Sequence, residues 1–365
     1  MMQTGTGKIA SEVPDVRKKG ILFVNTYRGS GIGDFGLSMR PHFSEITGAA
    51  LEYIETYPSW RNFLKVWYRI LATDSRPLFN LGFTSYGKSS MRNFLNFLFI
   101  GAVSSLMNRD VRVILHDSPE LFESNTSGYR FLKLKKVGGG VATRFLKEAR
   151  ISVFSVQLHR ILKDKYGFEN VELYPFPCTG DATVRPNPDG KPLVLSVGYI
   201  APYKGLEILP EIKKLMPDLE FIVAGKFHSL LQKTRGGREY KEQLEKKLLD
   251  AGIKMPGYVS DEDLNSIISA HRVVGILPYK STSGSSYGAS FLIEKGVPLV
   301  LTNLEEFNYL HLCGAGCIIA DRTPLGIADS ISILLDTPDI YTELVDYNIR
   351  YCKSNNFQLN FLKLL

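Results

Sequence analysis

Short apolar, β-branched runs alternate with helical patterns along this 365-residue chain. Apolar runs without polar alternation are typical of strands that are buried on both faces of a parallel sheet. Strands that alternate with helices predict an α/β fold with right-handed crossovers. The predicted strands are ILFVNTY (21–27), VRVILHD (111–117), ISVFSV (151–156), VELYPF (171–176), LVLSVGY (193–199), LEFIVAG (219–225), VVGILPY (273–279), PLVLTN (298–303) and GCIIA (316–320).

A segment rich in proline, glycine and aspartate interrupts this pattern, and the pattern restarts after it. The segment is PFPCTGDATVRPNPDGKP, residues 175–192. A chain of this length is long enough for two domains of ordinary size. We therefore predict two Rossmann-like, doubly wound domains at 1–180 and 190–340, followed by a C-terminal helical segment at 341–365.

Composition indicates a globular protein and places its positive charge in the first half. Hydrophobic residues make up 44% and charged residues 22% of the chain. Residues 1–180 hold 24 lysines and arginines against 15 acids, a net charge of +9, whereas the whole chain has a net charge of +7. This excess of positive charge predicts that the first half presents a surface to an anionic partner, either phosphates or acidic lipid headgroups. No nucleic-acid recognition motif accompanies the charge, so no nucleic-acid partner is expected.

Few cysteines and no apolar N-terminal region favour a cytoplasmic protein. Four cysteines in a chain of this size do not predict a disulfide framework. The first twenty residues carry no apolar stretch of the kind that a signal peptide needs. Cys313 and Cys317 are spaced like metal ligands, but no second pair of cysteines or histidines accompanies them, so we expect no metal site.

The glycine-rich segment GSGIGDFG (29–36) directly follows the first predicted strand. Gly31, Gly33 and Gly36 match the pattern G-x-G-x-x-G, in which backbone N–H groups and a helix N-terminus approach a phosphate. A tight turn between strand and helix without any ligand would show the same residues. The segment is therefore a candidate anion site in the first domain.

A second candidate is the loop before the apolar segment SFLIEKG. Eight of the ten residues 281–290 are serine, threonine or glycine, more than helix capping needs. Small residues permit close backbone approach, and hydroxyls donate to phosphate oxygens. A flexible capping loop is the alternative interpretation. The residues assigned to phosphate binding are Ser283, Gly284, Ser285, Ser286, Tyr287 and Gly288.

Lys204 is the third candidate, because it follows the strand LVLSVGY and stands directly before Gly205 and a new helical pattern. In parallel sheets, ligands bind beyond the carboxyl ends of the strands. A lysine at that edge can act as a point charge for a diphosphate. A solvated surface lysine would have the same sequence context.

Together these segments resemble the nucleotide-binding half of GT-B-fold glycosyltransferases, in particular the retaining family 4 within glycosyl transferases group 1. The matching stretches are LSVGYIAPYKGLEILPEIKKLMPDLEFIVAGK and MPGYVSDEDLNSIISAHRVVGILPYKSTSGSSYGASFLIEKGVPLVLTN. The resemblance implies two domains that face each other across a cleft, with a C-terminal helix that returns to the first. It implies a nucleotide diphosphate sugar as donor, a glycan or lipid-linked acceptor, and neither metal nor cofactor.

The resemblance also assigns roles to individual residues. Lys204 holds the donor diphosphate and the Ser283–Ser290 loop cradles it. Gly31 and Gly33 face the phosphates from the first domain, and His116 lies beside the donor sugar, with Asp117 next to it near the acceptor. The base pocket is assigned to Pro256, Gly257 and Tyr258.

Two features depart from the family pattern. Its two glutamates, seven residues apart, fall on Ser283 and Phe291, so neither carboxylate is present. Glu294 follows Phe291 by one helical turn, where it either reaches a ribose hydroxyl or is an exposed helix acid. Tyr199 stands near the position of the usual arginine. An active variant, an altered donor preference and a weakened enzyme all remain compatible with these changes.

The segment WRNFLKVWYRIL (60–71) predicts an amphipathic helix with a flank of Arg61, Lys65 and Arg69. Aromatic side chains beside basic ones suit a membrane interface, which would place the protein peripherally at the inner face of the plasma membrane. Packing of the helix on its own sheet is the alternative. The predicted interfacial face consists of Trp60, Phe63, Leu64, Trp67, Tyr68 and Leu71.

Two other classes of protein remain open at this point. A catalytically silent sugar-nucleotide-binding relative is compatible with the missing glutamates. A dinucleotide-dependent oxidoreductase would use the G-x-G-x-x-G loop and an acid at the end of the second strand, about 20 residues further on. Glu52 is near that spacing, although its segment does not have a clear strand pattern.

Overall fold

A computed structural model describes the fold. The description covers residues 20–26, 32–33, 35–40, 50–82, 90–107, 109–117, 145–178, 184–227, 231, 235–282 and 285–356. These residues fall into two compact units: 20–115 and 145–152 belong to the first, and 116–117 and 153–356 to the second. The predicted domain boundaries remain predictions.

The first sheet contains six strands in the order β2-β1-β3-β4-β5-β6. Its central strand β1 pairs in parallel with β2 and β3, so that Ile21 lies opposite Leu51 on one side and Arg76 on the other. The strands are β1 (Ile21–Asn25), β2 (Leu51–Glu55), β3 (Arg76–Leu81), β4 (Arg112–Leu115), β5 (Arg150–Val153) and β6 (Val171–Leu173).

Helices α1 (Trp60–Ala72) and α2 (Ser90–Leu106) belong to the first unit. α1 begins at Ser59, whose side chain accepts a hydrogen bond from the Asn62 N–H. The Trp67 ring lies 5.2 Å from the Phe99 ring of α2 and 6.0 Å from the Phe79 ring of β3. These aromatic contacts hold both helices against the sheet. Along the described stretches, no helix combines the length and apolar character needed to cross a bilayer.

The second sheet also contains six parallel strands, in the order β12-β11-β10-β7-β8-β9. This is the doubly wound Rossmann order, in which the winding reverses between β7 and β10. The strands are β7 (Lys191–Val197), β8 (Glu220–Ala224), β9 (Lys254–Gly257), β10 (His271–Leu277), β11 (Leu299–Thr302) and β12 (Cys317–Ala320).

Helices cover both faces of the second sheet. Alternate strand residues belong to different cores: Val194 and Ile276 to one, Leu195 and Leu277 to the other. Both faces are therefore buried, which explains the continuous apolar runs in the sequence. The helices of the second unit are α3 (Val156–Arg160, continued by a π-helical turn at Ile161–Lys165), which packs against β6, and α4 (Leu209–Leu215), α5 (Arg235–Asp250), α6 (Asp261–Ala270), α7 (Tyr287–Glu294), α8 (Glu305–Leu312), α9 (Pro324–Asp336) and α10 (Pro338–Ser354).

The sequence prediction of two doubly wound parallel sheets is confirmed, with differences at particular elements. The strand predicted at 111–117 ends at Leu115, so His116 and Asp117 lie just beyond it. The strand predicted at 151–156 ends at Val153, because Ser155 caps the start of α3. The predicted C-terminal helix is α10, which packs within the second unit through Tyr351 and Cys352. Its predicted return to the first domain lies outside the described residues.

Candidate active site

The carboxyl ends of β7 and β10 meet at the point where the winding of the second sheet reverses. Ligands of doubly wound sheets bind at such switch points. After β7 the chain forms a short 3₁₀ turn, Pro202–Lys204, which ends at Gly205. Gly205 has φ +67°, and a Cβ there would lie 2.1 Å from the Pro278 carbonyl oxygen, so only glycine permits this approach to the end of β10.

Lys204 is buried at this switch point, with 8% of its surface exposed. Its ammonium group donates to the Tyr279 hydroxyl and lies 4.2 Å from the Tyr279 ring centroid and 5.7 Å from that of Tyr203. Burial lowers the pKa of Lys204, and Tyr203 partly offsets that effect. No carboxylate in the described parts of the chain pairs with this amine. A buried cation with an aromatic cage but no anion is suited to an anionic ligand.

Tyr279 connects the lysine to the N-terminus of α7. Its hydroxyl lies 3.1 Å from the Ser286 Oγ, which caps α7 by accepting from the Ala289 N–H. If Tyr279 donates to Ser286, the hydrogen of the Ser286 hydroxyl remains for another acceptor. The helix N-terminus adds its positive dipole end. Sequence reasoning missed Tyr279, because an apolar strand followed by tyrosine carries no chemical signal.

Other residues of the predicted serine loop lie around this N-terminus. Ser285 donates to the Phe154 carbonyl oxygen, and Tyr287 is half exposed. Gly288 is buried in the first turn of α7, where a Cβ would lie 2.9 Å from the Val197 carbonyl oxygen. The Thr282 Oγ1 is buried without a hydrogen-bond partner in the described structure, which is unusual for a buried hydroxyl. Ser283 and Gly284 lie outside the described residues.

His116 belongs to the same unit as this loop. Its ring lies 5.9 Å from the ring of Phe154, the residue whose carbonyl oxygen accepts from Ser285. Burial lowers the pKa of His116 to about 3, so its imidazole is neutral at physiological pH. A neutral imidazole can orient a sugar hydroxyl but carries no charge. Asp117 follows it and is partly buried.

The predicted base pocket lies at the carboxyl end of the edge strand β9. Gly257 has φ +80°, and its carbonyl oxygen accepts from the Gly225 N–H at the end of β8. The Tyr258 ring is exposed, with the Lys226 amine 4.7 Å from its centroid. Pro256 and Tyr258 line a shallow depression between β9 and α6. An exposed ring beside a shallow apolar surface can stack on a planar base.

Glu294 is the last residue of α7 and is 8% exposed. The alternative of an exposed helix acid is therefore wrong. The hydrogen bond with Cys352 and burial raise the pKa of Cys178 in the core of the second unit, and the charge of Glu294 adds a smaller contribution. The predicted phosphate contact is at the N-terminus of α7, and Glu294 lies at the opposite end of that helix. Its predicted contact with a ribose remains a prediction.

The first sheet has its own switch point between β1 and β3, where two buried asparagines meet. Asn80 Nδ2 donates to Asn25 Oδ1 over 2.7 Å, and Asn25 Nδ2 donates to the Gly33 carbonyl oxygen over 3.0 Å. A Cβ on Gly36 would lie 2.0 Å from Asn25 Oδ1. The pair contacts Gly33 and Gly36 in the described part of the glycine-rich segment, which is helical there. The remaining candidate, Gly31, lies outside the described residues.

Glu306 is a buried carboxylate that sequence reasoning also missed. It accepts from the Ser155 hydroxyl over 2.6 Å and from the N–H groups of Val156 and Gln157 over 3.0 and 3.1 Å. Burial raises its pKa and these three hydrogen bonds lower it. The carboxylate thus fixes α3 next to Phe154. Its partners are about 150 residues away in the sequence, so spacing could not reveal them.

Clusters of metal ligands are not part of this site. The described residues include no group of three or more histidines, cysteines, aspartates or glutamates that could hold a metal ion. The positive groups at the switch point include Lys204 and the N-terminus of α7.

Two doubly wound parallel sheets are the architecture of the GT-B fold. Residues 181–349, a little under half of the chain, match the sequence model of the family described as glycosyl transferases group 1. No curated protein matches the chain by sequence.

Solved structures with the same fold cover nearly the whole chain. Sucrose-phosphate synthase from Thermosynechococcus elongatus superposes with a TM-score of 0.70 at 11% identity, over 95% of this chain and 98% of that one. Anabaena HepE in complex with UDP and glucose superposes with a TM-score of 0.66 at 13% identity, over 94% of this chain and 97% of that one. A UDP-forming trehalose-phosphate synthase from Burkholderia xenovorans superposes with a TM-score of 0.66 at 11% identity, over 95% of this chain and 98% of that one.

Proposed function

We propose that this protein transfers a sugar from a nucleoside diphosphate sugar to a glycan or lipid-linked acceptor, with retention and without a metal. The observation that carries the proposal is the buried Lys204 amine, which lies at a sheet switch point without a carboxylate among its described neighbours. A diphosphate would supply the missing negative charge. We propose a uridine nucleotide as the donor, because two proteins of this fold are described as UDP-bound and UDP-forming.

The chemistry requires stabilisation of the negative charge that grows on the departing diphosphate. Donors that are already oriented towards that charge supply a large part of the catalytic effect in such reactions. Lys204, the Ser286 hydroxyl and the N-terminus of α7 are oriented by their mutual hydrogen bonds before any ligand binds. This charge stabilisation supports a reaction that needs no metal.

Retention follows from an acceptor that enters on the same face as the leaving diphosphate. Such a reaction needs no enzymic nucleophile. The groups at the described switch point are an amine, a phenol and hydroxyls, and neutral His116 packs behind them on Phe154. We assign to His116 the orientation of the donor sugar, and to Asp117 that of the acceptor hydroxyl.

α1 supports a lipid-linked acceptor, although the interfacial face predicted from sequence is wrong at two positions. Phe63 and Trp67 are buried in the core of the first unit. The remaining four form an exposed stripe: Trp60 (47%), Leu64 (63%), Tyr68 (73%) and Leu71 (56%). Arg61 and Lys65 are exposed beside it. A stripe of this composition suits the interface of an anionic membrane, here the cytoplasmic leaflet.

Liposome flotation tests the membrane contact. The protein should float with anionic vesicles and not with neutral ones, and the double variant Leu64→Ser, Tyr68→Ser should lose flotation. Leu312→Ser, which changes an exposed leucine of the second unit, is the matched control. Flotation of the double variant at the wild-type level would contradict the contact.

Release of UDP from UDP-sugars tests the transfer reaction, together with thermal shifts in a panel of nucleoside diphosphates. A ligand that binds only the native state raises the melting temperature. Lys204→Met should lose both the shift and the UDP release. Lys191→Met, which removes an exposed lysine at the amino end of β7, should lose neither. A wild-type protein that responds to no nucleoside diphosphate would refute the proposal.

A further inference from the structure

A second lysine follows Tyr279 directly at the end of β10. The Lys280 N–H donates to the Tyr203 carbonyl oxygen over 2.8 Å, so its backbone is bonded to the turn that carries Lys204. Two links therefore join the loops after β7 and β10: this backbone bond and the bond between Lys204 and Tyr279. The Lys280 side chain is 45% exposed, whereas Lys204 is buried.

The Lys280 ammonium group forms an ion pair with Glu207 on the Lys204 turn. Arg322, which follows β12, also donates to Glu207 Oε1, over 3.1 Å, and its Nε donates to the Pro278 carbonyl oxygen over 3.1 Å. Two cations thus share one carboxylate, which leaves an excess of one positive charge at the carboxyl edge of the sheet. Glu207 Oε2 is buried without a hydrogen-bond partner in the described structure.

We propose that Lys280 is the second cationic contact of the donor diphosphate. The diphosphate of a nucleotide sugar carries two negative charges, and Lys204 supplies only one positive charge. The Lys280 amine is half exposed on a flexible stem, so it can turn from Glu207 to a phosphate oxygen. Arg322 stays bonded to Glu207 during that turn, so this partly buried carboxylate keeps a counter-charge.

This division of roles explains why Glu207 has two cationic partners. If Lys280 only balanced Glu207, Arg322 would already suffice, and the extra positive charge at the switch point would repel its neighbours. A bound diphosphate makes use of that excess, because the two amines then contact it from the two loops that meet there. The inference rests on the proposed function, since it names a further contact of the same donor site.

Calorimetric titration with UDP, UMP and uridine tests this contact. Lys280→Gln should weaken UDP binding about tenfold or more, the loss expected when a charge-assisted hydrogen bond is removed. UMP should lose less, and uridine should bind as it does to the wild type. Lys280→Arg should retain UDP affinity to within about threefold, because it keeps the charge. Lys191→Gln removes an ion-paired lysine from the opposite edge of the sheet and is the matched control.

The salt dependence of UDP binding is a second readout that a purely structural role would not move. Loss of one phosphate contact should reduce the dependence of affinity on salt concentration. Unchanged UDP affinity in Lys280→Gln, or an equal loss for UDP and uridine, would overturn the inference while the proposed function stands. A wild-type protein that binds no nucleoside diphosphate would overturn both.

Discussion

The Lys204 ammonium group donates to the Tyr279 hydroxyl and lies 4.2 Å from the centroid of the same ring. These residues lie in the segments that follow β7 and β10, the two strands between which the second sheet reverses its winding. Both side chains are buried. Burial of a charge costs free energy unless a partner compensates it. The buried ammonium group is therefore expected to lower the stability of the free protein while it favours the binding of an anion.

Lys204→Met should make the free protein more stable and remove nucleotide binding. The substitution replaces a buried cation by an apolar side chain of similar length, which is expected to raise the free energy of unfolding by roughly 1–2 kcal/mol. Urea denaturation at pH 7 measures the change. A lysine needed only for folding would give the opposite sign, so destabilisation would contradict a role in binding.

The affinity for UDP should fall as the pH rises. The fall should occur at a lower pH than it would if Lys204 had the ordinary pKa of a lysine. Burial lowers the pKa of Lys204, so the free protein releases this proton early, and the bound diphosphate restores it. In the free protein the unfolded state binds more protons between the lowered pKa and the usual one, so stability rises with pH through that window. Calorimetry in buffers of different ionisation enthalpy should show proton uptake on UDP binding, and none with Lys204→Met.

Tyr279→Phe should weaken UDP binding by about tenfold or more. The ring stays, but the hydroxyl that orients Lys204 and Ser286 is lost, and hydrogen bonds to charged groups contribute about 1.5–3 kcal/mol. Tyr341→Phe is the control, since it removes a buried hydroxyl that donates to the Val273 carbonyl oxygen within the core. The free energy of unfolding of that variant should fall by about 1 kcal/mol. Its affinity for UDP should be that of the wild type. Equal affinity of Tyr279→Phe and wild type would refute the orienting role.

Most strands could be predicted from the sequence, because strands buried on both faces leave continuous apolar runs. The strands that were missed have physical reasons. β2 (LEYIE) is an edge strand with two acids, Glu52 and Glu55, and no fully buried residue. β3 begins RP, and proline is disfavoured inside sheets; it is tolerated here because pairing with β4 starts only at Leu78. β9 is a four-residue edge strand with a proline of its own.

The site could be predicted only where its residues carry a local pattern. Lys204 and the serine loop follow strands and precede helices, which the sequence shows. Tyr279 and Glu207 act through partners that only the sheet order brings together. Glu52, the acid considered for a dinucleotide ribose, lies inside β2 and pairs with Arg69 over 2.9 Å. Spacing alone could not distinguish it from Glu55, which ends that strand.

Asn80→Ala should destabilise the protein by about 2–4 kcal/mol. It removes a buried amide that donates to Asn25 Oδ1 and to the Ile32 carbonyl oxygen, and it leaves both acceptors without this donor. Urea denaturation should show a lower midpoint with an unchanged slope. Asn308→Ala, which breaks an exposed hydrogen bond to Asn303, should change stability by less than about 0.5 kcal/mol. Similar effects of both variants would contradict the role of the asparagine pair.

Acid sensitivity of the fold should depend on His116. Burial lowers its pKa to about 3, far below the ordinary value of 6.5. Between these values the unfolded state holds a proton that the native state does not, so stability falls as the pH is lowered from 6.5 towards 3. His116→Gln removes this proton from both states and should flatten the fall in urea midpoint between pH 6.5 and 4. At pH 8 the stabilities of the two proteins should differ only through packing. If the urea midpoints of both fell in parallel between pH 6.5 and 4, His116 would not have the lowered pKa.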